Sequence, residues 1–249
     1  MINNKRVLVI VPARGGSKGL PKKNILNLCG KPLIAWPIIT ARTSRYIDNV
    51  VVSTDDLQIA KEAEKYGASV PFIRPKELAT DTATTFSVLE HAIEFLKNEG
   101  DCYDYIVLRE PTSPLTESED IDKALEILVS KRKIADSIVG VCKVEATHPA
   151  FDVVINDNGT LKPFMYDDFS RPLRRQDISD LYFFEGSLYI SDTEVLLREK
   201  TFYHDRTLPY IMPRYKSLEI DEQIDFIFVE AVLNNIEIIK RINDQNGGK

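Results

Sequence analysis

Four basic residues and three glycines lie within ten positions near the start of the chain: Arg14, Gly15, Gly16, Lys18, Gly19, Lys22 and Lys23. They follow an apolar run, Val7 to Val11, that ends at Pro12. A strand delivering a glycine-rich, cationic loop at its C-terminal end suits a polyphosphate. Glycines let the backbone approach and turn N–H groups toward the anion, and the side chains neutralise the remaining charge. Arg14 can fork around phosphate oxygens, while Lys18 and Lys23 act as point charges. The spacing fits neither G-x-x-x-x-G-K-[ST] nor G-x-G-x-x-G. A solvated surface loop is the alternative reading.

Two other groups could carry chemistry. Glu219 and Asp221 stand two apart, which in a strand puts both carboxylates on one side. Beside a triphosphate they would suit Mg²⁺, which takes one or two carboxylates plus phosphate oxygens. Asp221 could equally cap the last helix. Arg171, Arg174 and Arg175 precede Gln176, and an arginine cluster suits a carboxylate or is a solvated loop. His91, His148 and His204 have no metal-ligand spacing, and Cys29, Cys102 and Cys142 form neither a disulfide framework nor a zinc motif.

The elements that must position these residues alternate. Strands are expected at Val7–Val11, Val50–Ser53, Val70–Ile73, Tyr105–Leu108 and Ser137–Val144. Helices are expected at Leu33–Ser44, with a kink or late start at Pro37, and at Leu57–Tyr66, capped by Thr54 or Asp55. Further helices fall at Thr82–Asn98, with Thr80 or Asp81 as cap, and at Ile121–Val129. This alternation implies an α/β fold, a mostly parallel sheet with helices on both faces. From 148 to 185 the helical period is lost. Asn156-Asp157-Asn158-Gly159 between two short apolar runs signals a hairpin, and the segment reads as an excursion from the sheet. The chain rejoins at Gly186–Ile190. A helix at Thr193–Glu199 and a strand at Leu208–Met212 follow, and Glu222–Arg241 closes the chain as one helix facing inward with Ile224, Phe228, Val232 and Ile236. Residues 1–249 are thus expected to form one domain carrying the 148–185 insertion.

The string A-R-x-x-S-K-G-L-P-x-K-N, matched from Ala13 to Asn24, resembles the N-terminal signature of the acylneuraminate cytidylyltransferases, the CMP-sialic acid synthetases and their relatives. Arg74-Pro-Lys-Glu-Leu-Ala-Thr-Asp-Thr-Ala resembles the family's second motif. Leu108-Arg-Glu-Pro-Thr-Ser-Pro-Leu is similar to its L-L-Q-P-T-S-P-L-R, with Glu110 in place of Gln and Thr116 in place of Arg. Ser217-Leu-Glu-Ile-Asp matches S-x-D-I-D, with Glu219 for Asp. Arg175, Gln176, Tyr182 and Gly186 match a further motif in which Glu185 replaces Asn.

The resemblance spans nearly the whole chain and implies a Rossmann-like nucleotidyltransferase fold. It implies CTP as co-substrate, its triphosphate on Arg14, Ser17, Lys18, Gly19, Lys23 and Asn24, and its cytidine along Arg74, Asp81 and Thr85. It places the sugar near Glu110, Arg175, Gln176 and Tyr182, and Mg²⁺ on Glu219 and Asp221. Arg14, Lys18 and Asp221 would be the catalytic residues. The implied reaction joins CMP to a nine-carbon 2-keto acidic sugar of the sialic, legionaminic or pseudaminic type and releases pyrophosphate. The excursion would reach a second subunit, making a homodimer. A carboxylate at 110 would repel an acidic sugar unless paired or protonated, which leaves the sugar open. A nucleotidyltransferase for another sugar or base, and a non-catalytic nucleotide-sugar sensor, remain alternatives.

Composition narrows the classes. A net charge of −6 argues against general nucleic-acid or membrane-surface binding. No apolar stretch approaches the roughly 20 residues of a membrane helix. Three scattered cysteines fit a reducing cytoplasm.

Overall fold

The computed structural model describes residues 1–145, 147–169, 174 and 178–246. Its centre is a six-stranded sheet in the order β10-β6-β9-β5-β1-β4. These strands are β1 (Val7–Pro12), β4 (Asn49–Ser53), β5 (Tyr105–Leu108), β6 (Ser137–Lys143), β9 (Tyr182–Asp192) and β10 (Thr207–Ile211). β1 pairs in parallel with both β4 and β5, and β10 with β6. β9 runs antiparallel between β5 and β6, so five strands run one way and one returns.

The fully buried strands are near-continuous apolar runs, as expected where both faces are covered. Alternate residues feed two cores. Val7, Val9 and Val11 join α1 (Ala35–Thr43), α2 (Leu57–Lys65) and α4 (Ser118–Ser130) on one face. Leu8 and Ile10 join α3 (Thr85–Asn98) and α5 (Thr193–Glu199) on the other. Two short pairs stand apart from the sheet: β2 (Asn27–Leu28) with β3 (Lys31–Pro32), and β7 (Val153–Ile155) with β8 (Leu161–Pro163). The latter is the expected hairpin. Gly159 takes φ +78° at its turn, a conformation open to glycine.

Several expectations are corrected. Residues 70–73 form no strand: Ser69 alone bridges to Val51 at the sheet edge, and Pro71, lacking an N–H, cannot extend the ladder. α1 begins late, at Ala35, and buries Pro37 as its third residue, where the missing N–H would have had no intrahelical partner. Asp56, not Thr54 or Asp55, caps α2 by accepting from the N–H groups of Gln58 and Ile59. Thr84, not Thr80 or Asp81, caps α3 by accepting from Ser87 N–H. In both cases the rejected aspartate is occupied by the glycine loop.

The expected closing helix is broken at Asn235 into α6 (Gln223–Asn234) and α7 (Ile236–Asn246). Its inward stripe is Phe226, Val229, Val232 and Leu233, while Ile224 and Phe228 are about half exposed, at 49% and 52%. α6 is apolar nearly all round, so periodicity alone could not choose its buried face.

The segment after β10 is fixed by buried charge. Lys216 donates to Asp120 at 2.6 Å and pairs with Glu117 at 2.7 Å. Lys216 and Asp120 are 5% exposed, and Tyr210 Oη also donates to Asp120. Lys240 of α7 pairs with Glu117 as well. Removing one partner of such a pair strands a buried charge. Lys216→Met should therefore lower the unfolding free energy by about 3 kcal/mol, read as a reduced urea midpoint with unchanged slope. A midpoint like that of the native chain would show the network to be dispensable.

Candidate active site

The loop after β1 is held from three sides. Gly15 N–H donates to Asp55 at 2.9 Å. Asn24, buried, donates its side-chain amide to the Arg14 carbonyl at 2.9 Å. Lys23 Nζ donates to the Ile220 carbonyl at 2.7 Å and to Asp221 at 3.1 Å. A Cβ at Gly19 would overlap the Asp221 carbonyl oxygen, so glycine is required there for backbone against backbone. Gly16 has open space around it.

The loop walls a cavity of about 480 Å³ beyond the C-terminal ends of the parallel strands. Arg14, Ser17, Lys18, Gly19, Lys23 and Asn24 line it on one side. Arg74, Asp81 and Thr85 line the other, with Glu110 and Asp221 completing it. Asp81 accepts from Arg14 and pairs with Lys18, both at 2.7 Å. These hydrogen bonds, Lys18's first, hold its carboxyl below the usual aspartate range. Arg74 is buried and turned inward, its Nε donating to Ser53 Oγ at 3.0 Å and its Nη2 to the Ser53 carbonyl. Burial lowers its guanidinium to about 10, so it stays charged at neutral pH.

Residues 218–220 are extended but join no sheet; Ile220 N–H donates to the Thr112 carbonyl at 2.8 Å. Asp221 is exposed at 74% and is not the cap of α6, which is Glu222. Glu219 is half-buried, and burial, then the neighbouring Asp221 charge, raise its carboxyl. Two acidic side chains offer hard oxygen donors, and Lys23 touches one of them; this donor set fits Mg²⁺ completed by phosphate oxygens and water.

A second cavity, about 190 Å³, shares Thr85 and Glu110 with the first. Phe86, Tyr189, Phe202 and Tyr203 form its walls and Lys200 reaches its rim. Sequence reasoning missed all five, although Tyr189 follows closely on Gly186 of the last motif. Tyr182, expected at the sugar, lies outside both cavities at 45% exposure, because the first positions of β9 pair with the end of β6. Arg175 and Gln176 lie outside the described residues. Thr116 is buried at 1% exposure and is part of the interior rather than the site.

Three charged departures from the motifs converge under the cavities. Arg109 is fully buried and donates to the Ser113 carbonyl at 3.3 Å; burial lowers it to about 10. Glu185 is fully buried and accepts from Ser187 Oγ at 2.5 Å. Burial raises both Glu110 and Glu185 to about 7, with the Glu219 charge adding to each.

With this geometry in place, likeness to known proteins carries weight. The family model described as cytidylyltransferase matches residues 8–246. The chain is 35% identical to CMP-N,N'-diacetyllegionaminic acid synthase of Legionella pneumophila over 92% of this chain and 96% of that protein. It is 38% identical to N-acylneuraminate cytidylyltransferase of Streptococcus agalactiae over 89% of this chain and 52% of that protein. The structure of a CMP:2-keto-3-deoxy-manno-octonic acid synthetase complexed with CTP superposes with a TM-score of 0.66 at 18% identity, covering 92% of this chain and 99% of that one; this shows the shared fold. The chain belongs to the cytidylyltransferase family. Within it, the chain is a nucleotidyltransferase of the acylneuraminate cytidylyltransferase type.

Two outcomes follow from the site. Gly19→Ala should weaken CTP binding by roughly tenfold or more, a difference of about 1.4 kcal/mol, because the Asp221 backbone must move, whereas Gly16→Ala should bind normally. Titration calorimetry of both variants checks this; equal affinities would remove the close approach from the argument. Glu110 and Glu185 keep their protons where an unfolded chain's glutamates, near 4.5, have lost them. The folded protein then binds more protons, so stability falls as pH rises from about 4.5 to about 7 and beyond. Urea midpoints between about pH 5 and pH 8 should decline, and the Glu110→Gln, Glu185→Gln double variant should decline less; parallel profiles would contradict the shifts.

Proposed function

We propose that this protein is a CTP-dependent cytidylyltransferase that activates a nine-carbon 2-keto acidic sugar, a nonulosonic acid, to its CMP-sugar. The observation that carries the reading is the convergence of Arg14, Lys18, Lys23 and Asp221 from opposite ends of the chain around the larger cavity, with a second, aromatic-walled cavity opening beside it at Glu110. A triphosphate in the larger cavity competes with Asp81 for Arg14 and Lys18, and cytidine lies along Arg74, Asp81 and Thr85. Ser17 and Asn24 support the phosphate loop. The sugar occupies the smaller cavity.

The anomeric hydroxyl oxygen attacks the α-phosphorus of CTP. The bond from that phosphorus to the bridging α,β-oxygen breaks, pyrophosphate leaves, and the hydroxyl proton passes to solvent or a neighbouring carboxylate. The protein contributes placement and charge neutralisation rather than covalent help. Arg14 and Lys18 stabilise the charge that develops on pyrophosphate. Lys23, anchored on Ile220 and Asp221, fixes the loop relative to the acidic pair. Mg²⁺ bound by Glu219 and Asp221 would polarise phosphoryl oxygens.

The exposed apolar residues of the hairpin region, including Ile155, Phe164 and Phe169 at 71%, 64% and 63%, support the reading of 148–185 as an arm that contacts a second copy in a homodimer. Arg175, Gln176 and Tyr182 are then sugar contacts offered to the partner site, and Tyr182 lies outside this chain's own two cavities. No helix among the described residues is long and apolar enough to cross a membrane, and the substrates are those of the cytoplasm, where we place the enzyme.

Asp221→Ala should lower Mg²⁺-dependent pyrophosphate release on the order of a hundredfold or more while CTP still binds. Turnover like that of the native enzyme would sink the metal assignment. Pyrophosphate release with CTP and each of several nonulosonic acids tests the reaction itself, with 3-deoxy-manno-octulosonate as the eight-carbon control.

A further inference from the structure

The second cavity combines features that a neutral acyl group does not need. Its walls are Phe86, Tyr189, Phe202 and Tyr203. The Tyr189 ring lies 5.4 Å from Phe202 and 6.1 Å from Tyr203. Its seam with the larger cavity is the side chain of Glu110, which an approaching cation draws into its charged form. Aromatic faces closed by a carboxylate are a cation-binding arrangement. A cation of the chain already samples it: Lys200 Nζ stands 5.9 Å over the Phe86 ring at the rim.

The carboxylates behind this wall are built in. A Cβ at Gly140 would overlap the Glu185 carboxylate, and one at Gly186 would overlap that of Glu219, so two glycines on neighbouring strands make the room these long side chains occupy. Glu185 is fully buried and its Oε2 has no hydrogen-bond partner. The nearby cations are engaged elsewhere, Lys23 on Ile220 and Asp221, Arg74 on Ser53. Arg109 faces Glu185 and Glu110 and offsets part of the charge, yet its Nε and Nη1 are themselves unpartnered.

Resting on the nonulosonic acid reading above, we propose that the sugar this enzyme activates carries a positively charged nitrogen substituent, a free amine or an amidine, held by Glu110 between the aromatic walls. The sugar's own carboxylate is then balanced at the rim by Lys200, and the substrate is zwitterionic. An N-acetyl group, being neutral, offers Glu110 no charge to pair with.

The test uses the full-length enzyme with CTP and Mg²⁺ and matched nonulosonic acids that differ at one nitrogen only: free amine, acetimidoyl and N-acetyl. We expect kcat/KM, from pyrophosphate release, to be at least tenfold higher for a cationic member than for its N-acetyl counterpart. Glu110→Gln should reduce or reverse that ratio by raising KM for the cationic sugar. Equal or better use of the N-acetyl sugar by the native enzyme overturns the proposal while leaving the cytidylyltransferase reading standing, and this comparison needs no variant. A cationic preference that survives Glu110→Gln in a variant whose thermal melt matches the native protein also overturns it. No release with any sugar overturns the reading and this inference together.

Discussion

The contact on which the site depends is that between Gly19 and the backbone of Asp221, reinforced by Lys23 on the carbonyl of Ile220. It joins the first loop of the chain to the segment just before its last helices. Neither piece makes a site alone. The loop supplies cations, two of them held by Asp81, and the later segment supplies carboxylates that would repel a triphosphate. Side-chain bulk at position 19 would part them. Ile220 N–H on Thr112 ties the same segment to the turn after β5, so three distant stretches are fixed by one main-chain hydrogen bond, one lysine side chain on a carbonyl and one missing Cβ. Fixing them against one another suits a reaction whose rate rests on placement.

Buried charge is the second theme, and it takes two forms. Around Lys216 the partners are complete: one ammonium, two carboxylates and a tyrosine hydroxyl satisfy one another, and the result is anchorage. Around Glu110 they are incomplete. Glu110, Glu185 and Glu219 outnumber the cation that packs among them, and buried polar atoms of both Arg109 and Glu185 lack partners. A low-dielectric interior makes unpaired groups unfavourable, so a folded chain that keeps them stores a demand for a complementary group. The complete network sits where the backbone must be held, and the incomplete one where a ligand enters.

Much of the fold was legible in the sequence because its strands are buried on both faces and its loops carry glycine, proline and aspartate at the right places. What periodicity could not supply was the choice among neighbouring caps. Asp55 and Asp81 were as good as Asp56 and Thr84 by residue type, and only the tertiary structure shows both aspartates turned toward the glycine loop instead. The buried face of α6 was misread for the related reason that a helix apolar all round has no preferred stripe. The lining of the larger cavity was legible as motifs, since it comes from short contiguous runs of residues. The second cavity was not, because Phe86, Tyr189 and Phe202 come from a helix, a strand and a bend far apart in sequence, each of which looks like ordinary core in one dimension.

The fold itself tolerates wide sequence change, being shared at only 18% identity with a structure solved in complex with CTP. The buried charges are more demanding. Arg109, Glu110, Glu185 and Glu219 act on one another beside the second cavity, and the backbone makes room for two of them: Gly140 admits Glu185, and Gly186 admits Glu219. A surface charge needs no such accommodation, whereas a buried carboxylate must find both space and a counter-charge before the sheet can close over it. The glycine loop is held by contacts of its own with Asp55, Asn24 and Asp221, so loop and charge cluster are positioned by different constraints of the same sheet.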